Sequence, residues 1–226
     1  MIVFLKSLTF NILFYIWTLI IAFFSFPVFF FNRKFDVKVW FFWMKVTNKI
    51  LKTVVKIDYE IKGSQNITSN NVIYACQHQS AWDTIIIPYL IGDCIIFHKR
   101  SLLFIPFFGW HLFKLGMIII TRNKGANNLR KIIEETRNAV LKNRPVLIFP
   151  HGTRTLPNSK NKIQSGIVIL YKHLNTRIIP VTLNSGKYWC RKKFLKYPGK
   201  IIVNFLKPIN PGLSPGVFRK KLEKIL

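Results

Sequence analysis

The residues best suited to acid–base chemistry lie in one short segment, His78-Gln79-Ser80-Ala81-Trp82-Asp83. A carboxylate that holds one imidazole nitrogen leaves the other able to take a proton from a substrate hydroxyl. On a straight helix, His78 and Asp83 would point about 140° apart. They meet if His78 lies in a loop before a helix that begins near Ser80, with Ser80 as its N-cap. Because this spacing also occurs by chance, other segments must support the prediction.

Two further segments place an arginine just after a predicted strand. One is Gly116 to Arg122, and the other is Phe149-Pro150-His151-Gly152-Thr153-Arg154-Thr155. The Gly-Thr-Arg turn offers backbone N–H groups, a hydroxyl and a guanidinium, which are donors that bind phosphate. Each segment alone is also explained by a surface loop with a solvated arginine.

Short runs rich in β-branched residues alternate with helical patterns after residue 57, which predicts an α/β fold with a largely parallel sheet flanked by helices. In such folds the site lies at the carboxyl ends of the strands. Helices are expected over 128–141, 165–174 and 214–226. The predicted strands are Val72–Ala75, Ile95–Phe97, Met117–Ile120, Val146–Phe149, Ile178–Val181 and Ile201–Val203.

The first 56 residues read as a membrane-anchoring helical segment, and residues 57–226 as the catalytic domain. Leu8 to Phe31 is almost wholly apolar and long enough to cross about 30 Å of hydrocarbon. A cleavable signal peptide is less consistent with its length and with the basic residues that follow. Pro27 also permits a kinked segment embedded in one leaflet, so spanning and embedding both stay open.

Val39 to Lys56 places four lysines three or four residues apart, at positions 45, 49, 52 and 56. This spacing gathers them on one helical face. Together with Trp40 and Trp43, the pattern predicts an interfacial helix whose lysines meet anionic headgroups. The alternative is a core helix with a solvated lysine face.

The composition limits the classes of molecule that the chain is expected to bind. The chain has 226 residues, 35 Lys and Arg against 8 Asp and Glu, a formal charge of +27, and 50% hydrophobic residues. A basic and apolar chain favours an anionic membrane over nucleic acid. The three cysteines and five histidines show no chelating spacing, so we expect no metal. The acid–base chemistry expected of the His–Asp pair requires no bound organic cofactor either.

The segments together resemble the glycerolipid acyltransferase family. His78-Gln79-Ser80-x-x-Asp83, Gly116 to Arg122, Gly152-Thr153-Arg154 and Ile179-Pro180-Val181 follow the order and approximate spacing of the four blocks of that family. Lys99 and the stretch from Ile105 to Trp110 are similar to the region between its first two blocks. The resemblance implies a membrane enzyme of phospholipid biosynthesis, in bacteria at the cytoplasmic face of the inner membrane.

The resemblance also implies roles for single residues. His78 would be the general base and Asp83 its orienting partner in transfer of an acyl group from acyl-CoA or acyl carrier protein to the sn-2 hydroxyl of lysophosphatidic acid, giving phosphatidic acid. Substrate binding would fall to a further set of residues: Arg122, Gly152, Thr153, Arg154 and, as a helper for phosphate or oxyanion, Lys99. Pro180 would shape the donor side of the cleft.

Two departures from the family pattern leave the acceptor open. The family usually has Glu at the position of His151 and an acidic residue at that of Thr121. Another lysolipid, such as a lyso-ornithine lipid, is therefore an alternative acceptor. A membrane-tethered nucleic-acid-binding protein would also explain the lysines, but it gives no reason for His78 and Asp83.

Overall fold

The computed structural model describes residues 1–105, 108–120, 126–157, 159 and 161–226. Seven strands form one mixed sheet in the order β1-β7-β6-β2-β5-β3-β4, in which every neighbouring pair is parallel except the antiparallel pair β6–β7. The strands are β1 (Ile57–Lys62), β2 (Val72–Cys76), β3 (Ile95–Lys99), β4 (Ile118–Ile120), β5 (Val146–Ile148), β6 (Arg177–Leu183) and β7 (Gly199–Phe205).

The predicted strands are confirmed, with ends that differ from the prediction by at most two residues. They are detectable in sequence because a central parallel strand is covered on both faces and therefore reads as an apolar run. In β2, Val72, Tyr74 and Cys76 join one apolar cluster, whereas Ile73 and Ala75 join another on the opposite face. Strand β1 was not predicted, since its Asp, Glu and Lys residues break the apolar run.

Seven α-helices accompany the sheet in the described part of the chain. They are α1 (Ile2–Phe24), α2 (Arg33–Ile50), α3 (Trp82–Ile91), α4 (Phe108–Lys114), α5 (Ala126–Leu141), α6 (Ser165–Leu174) and α7 (Pro215–Ile225). The three predicted helices correspond to α5, α6 and α7. Helix α7 begins as its sequence dictates, because the Ser214 hydroxyl accepts the Val217 N–H and Pro215 takes a first-turn position.

The predicted apolar stretch 8–31 is not one helix. Helix α1 ends at Phe24, and a short 3₁₀ helix, Phe26–Phe30, contains Pro27 and leads back into α2. By length and composition α1 is able to cross a membrane. Its apolar side chains are mostly exposed, which points to membrane association.

Helix α2 and a π-helical continuation, Leu51–Val55, cover the predicted interfacial segment. All four of its lysines at positions 45, 49, 52 and 56 are exposed. The two N-terminal helices are joined by indole hydrogen bonds, since Trp43 Nε1 donates to Thr18 Oγ1 over 3.1 Å and Trp17 Nε1 to the Trp43 carbonyl over 3.4 Å.

A buried polar network fixes this helical pair to α4. The carboxylate of Asp36, which is 1% exposed, contacts His111 Nδ1 at 2.6 Å and Lys114 Nζ at 2.8 Å. His111 Nε2 lies 2.8 Å from Ser25 Oγ, just beyond the end of α1. The network therefore ties the end of α1, the start of α2 and helix α4 together.

Replacing Asp36 with Asn removes the buried carboxylate charge that contacts Lys114 Nζ and His111 Nδ1. Removing one partner of a buried ion pair costs about 3–5 kcal/mol, so we expect a large fall in the thermal unfolding midpoint in detergent. Asp58→Asn is the control, because its pair with Lys52 is solvent-exposed and such pairs contribute about 1 kcal/mol or less. Equal losses in the two variants would contradict the assignment of the Asp36 network as a structural tie.

A buried lysine joins α1 to the loop between β6 and β7. Lys196 is 2% exposed; its Nζ donates to Asn11 Oδ1 at 2.8 Å and lies 5.2 Å from the Phe10 ring centroid and 5.0 Å from that of Trp189. The backbone N–H of Lys196 donates to Ser7 Oγ at 2.9 Å. Burial lowers the pKa of Lys196 to about 8.

This lowered pKa makes stability rise with pH. Between pH 8 and about 10.4 the unfolded chain holds the Lys196 proton more tightly than the folded chain does, so the free energy of unfolding increases with pH across that window. In Lys196→Met this contribution is absent. We expect the unfolding midpoint of the wild type to gain a few degrees relative to the variant from pH 8 to 10.4, measured by thermal scans in detergent. A constant difference between the two proteins would be inconsistent with a lowered pKa of Lys196.

Candidate active site

His78 lies in the loop that leaves the carboxyl end of β2, at the centre of the sheet edge. Strands β6 and β5 flank β2, so the loops that follow all three strands meet there. Helix α3 begins at Trp82 with Ala81 as its N-cap residue. The predicted N-cap assignment of Ser80 is therefore wrong by one residue, although its hydroxyl does accept the Trp82 N–H at 3.1 Å. The loop before the helix is the arrangement that lets His78 and Asp83 meet.

Asp83 has no exposed surface and accepts four hydrogen bonds. Its Oδ2 accepts the backbone N–H groups of Gln79 at 2.7 Å and Ser80 at 2.8 Å, and lies 3.0 Å from His78 Nδ1. Its Oδ1 accepts the hydroxyl of Ser185 at 2.5 Å. A buried carboxylate needs this many donors to stay charged.

The His78 ring is held on two sides. Asp83 binds Nδ1, and the Phe149 ring stacks on the imidazole with centroids 4.2 Å apart and an interplanar angle of 26°. The Thr155 N–H donates to the His78 carbonyl at 2.7 Å. The contact with Asp83 selects the tautomer protonated on Nδ1, so Nε2 is the nitrogen that can accept a proton.

The predicted Gly-Thr-Arg turn follows β5 beside the His78 loop. Gly152 has φ +68°, a left-handed conformation that favours glycine, and its N–H donates to the Phe149 carbonyl at 2.9 Å. Thr153 is exposed and Arg154 is half-buried. Burial lowers the pKa of Arg154, the charge of Asp83 opposes that change, and the charge of Arg191 adds to it. Arg154 is therefore close enough to both residues to sense their charges.

The loop after β6 supplies residues that sequence reasoning missed. Ser185 binds Asp83, the Gly186 N–H donates to Gln79 Oε1 at 3.1 Å, and Arg191 donates to the Arg154 carbonyl at 2.7 Å. A Cβ on Gly186 would lie 3.0 Å from the Gln79 side chain, so the approach is close. Only the position of this loop after the Ile-Pro-Val strand could have signalled its importance.

The remaining residues predicted for the site lie at varied distances from the His78–Asp83 pair or outside the described part of the chain. Arg122 and Thr121 lie outside the described residues. Lys99 is exposed at the end of β3, two strands from β2, or roughly 10 Å of sheet. Its role as a helper for phosphate or oxyanion stays a prediction. Pro180 is buried within β6. Burial lowers the pKa of His151, which is 8% exposed, and its place in the turn fits a packing role.

Fold and site define an α/β protein with an imidazole–carboxylate pair at the carboxyl edge of its sheet, next to a basic turn. Residues 58–184 match the family model described as Acyltransferase. The chain belongs to the acyltransferase family, and the family resemblance of its motifs is confirmed.

Relatives with curated names are similar over most of this chain. The 1-acyl-sn-glycerol-3-phosphate acyltransferase of Pseudomonas aeruginosa is 32% identical over 161 residues, covering 71% of this chain and 63% of that protein. The enzyme of the same name from Saccharomyces cerevisiae is 24% identical over 165 residues, covering 71% and 54%. The chain thus matches between about half and two thirds of the length of these relatives.

A solved structure shows the same fold. The crystal structure of the 1-acyl-sn-glycerophosphate acyltransferase of Thermotoga maritima superposes with a TM-score of 0.78 at 21% identity, covering 98% of this chain and 94% of that one. This likeness confirms the predicted α/β architecture with its apolar N-terminal helix.

The contact between Ser185 and Asp83 predicts that Ser185 positions the His78–Asp83 pair. Because a hydrogen bond to a charged group contributes about 1.5–3 kcal/mol, we expect Ser185→Ala to lower kcat of acyl transfer about tenfold or more with little change in the KM of the acceptor. Ser165→Ala, at an exposed serine of α6, is the matched control and should keep wild-type turnover. A kcat unaffected in Ser185→Ala would exclude this positioning role.

Proposed function

We propose that this chain transfers a fatty acyl group from a thioester, acyl-CoA or acyl carrier protein, to the sn-2 hydroxyl of lysophosphatidic acid, giving phosphatidic acid. The observation that carries the proposal is the His78–Asp83 contact of 3.0 Å at the edge of the sheet, beside the Gly152 turn. The names of the relatives from Pseudomonas and Saccharomyces support the same reaction.

The dyad geometry suits direct transfer. Nε2 of His78 accepts the hydroxyl proton while the hydroxyl oxygen attacks the thioester carbon, forming a C–O bond and a tetrahedral oxyanion. Collapse of this intermediate restores the carbonyl and breaks the C–S bond, and the thiolate leaves with the proton that His78 carries. Asp83 stabilises the imidazolium between the two proton transfers. The reaction needs neither a protein nucleophile nor a metal.

The acceptor phosphate is assigned to the basic turn. Arg154 offers a half-buried guanidinium, the Thr153 side chain is exposed beside it, and Gly152 shapes the turn through its bond to the Phe149 carbonyl. Guanidinium binds phosphate in a fork of two N–H donors. Arg122 and Lys99 stay in the proposal as further phosphate contacts through the family resemblance.

The chain is further proposed to work at the cytoplasmic face of the bacterial inner membrane. Helix α1 packs on the rest of the protein at both ends, through Ser7 with Lys196 and through Ser25 with His111. This docking favours a helix embedded beside the domain over one that leaves it to cross the bilayer. The exposed α2 lysines are suited to anionic headgroups.

The central test replaces the base. With purified protein in detergent or anionic vesicles, labelled acyl-CoA or acyl carrier protein, and lysophosphatidic acid, we expect wild type to form phosphatidic acid and His78→Ala to lose at least about 10²-fold in rate. His173→Ala is the matched control, because that histidine is exposed on α6.

Other outcomes discriminate between the alternatives. Retained activity in His78→Ala would rule out the imidazole as the base. Faster acylation of a lyso-ornithine lipid than of lysophosphatidic acid would reassign the acceptor. Salt-sensitive binding to nucleic acid without any acyl transfer would instead favour the binding-protein alternative.

A further inference from the structure

A second arginine, Arg191, lies against the basic turn. It belongs to the loop between β6 and β7, whose first residues hold the dyad through Ser185 and Gly186. One N–H of its guanidinium donates to the Arg154 carbonyl at 2.7 Å, and the side chain is partly buried. Its position is therefore fixed by the backbone of the turn that is proposed to hold phosphate.

The charges of Arg191 and Arg154 are not balanced by a carboxylate. All eight acidic residues of the chain lie in its described part, and none forms an ion pair within 4.0 Å of either guanidinium. Asp83 senses Arg154 from a greater distance, but its two oxygens are committed to His78, Ser185 and two backbone N–H groups.

The guanidinium of Arg191 is anchored on the backbone of Arg154, which places two like charges in one partly buried part of the site. Burial lowers the pKa of Arg154, the charge of Asp83 opposes that change, and the weaker effect of the Arg191 charge lowers the pKa further. An anion that contacts both guanidiniums offsets the repulsion between their like charges. A site of this kind selects a ligand that brings more than one negative charge.

We propose that Arg191 is a specificity-determining residue that joins Arg154 in binding a phosphate monoester of the acceptor. This inference rests on the proposed acyl transfer to a lysophospholipid and names a residue outside the four family blocks. A terminal phosphate carries about −1.5 to −2 charges at pH 7 and three acceptor oxygens, so it can engage two guanidinium forks. A phosphodiester headgroup carries one negative charge and has fewer free oxygens, and a monoacylglycerol has no phosphate.

The test compares acceptors in Arg191→Gln and in a control variant of the same loop. Lys193→Gln removes the same charge from an exposed position two residues away, so it reproduces any general effect on membrane binding. We expect Arg191→Gln to raise the KM for lysophosphatidic acid at least about tenfold with kcat within about threefold. The KM for monoacylglycerol should stay unchanged, and Lys193→Gln should behave as wild type with both acceptors.

A second variant, Arg191→Lys, separates the effect of charge from that of the guanidinium geometry. It keeps the positive charge but not the planar fork, so its KM for lysophosphatidic acid should fall between those of wild type and Arg191→Gln. Equal changes in KM for both acceptors would mean that Arg191 only holds the turn in place, and an unchanged KM would mean that it does not touch the acceptor. Either result overturns this inference while leaving the proposed function intact. A wild-type protein that does not acylate lysophosphatidic acid would overturn the proposed function itself.

Discussion

The structure depends on keeping a fully buried carboxylate charged. Asp83 is shielded from water, and an ion in that position is tolerated only if several donors replace its hydration shell. Two donors are N–H groups of its own loop, and one is a hydroxyl from a segment about one hundred residues away. The requirement therefore fixes the loops after β2 and β6 in one arrangement. His78 receives its orientation as a result.

A second His–Asp contact shows how its surroundings separate a structural pair from the pair proposed to be catalytic. His111 Nδ1 lies 2.6 Å from Asp36, against 3.0 Å for the first pair, and Ser25 completes a series with the order of a hydrolase triad. Yet Lys114 occupies the other carboxylate oxygen, and the group connects three helices away from the sheet edge. The same functional groups therefore hold helices together at Asp36 and His111, and at Asp83 and His78 they are arranged in a way that suits proton transfer.

The features that could be predicted from the sequence are those formed by residues close together in the chain. Parallel strands appear as apolar runs, and the His78–Asp83 contact could be inferred because only a short loop and one helical turn separate the two residues. The pair His111–Asp36 spans 75 residues, and the approach of Arg191 to Arg154 depends on how β6 and β5 flank β2. Such contacts are set by topology, which residue spacing does not encode. The edge strand β1 was missed because its partly exposed positions permit polar residues, which interrupt the apolar run.

The loop between β6 and β7 connects the apolar helix α1 to the basic turn of the candidate site. One part of it, around Lys196, is locked to the apolar helix α1, and another part, around Arg191, touches the basic turn. In the proposed embedded arrangement, the depth of α1 in the leaflet sets the height of the guanidiniums above the hydrocarbon boundary. The proposed single-chain acceptor then reaches them by a small vertical displacement, with its tail still among the acyl chains, instead of being extracted into water.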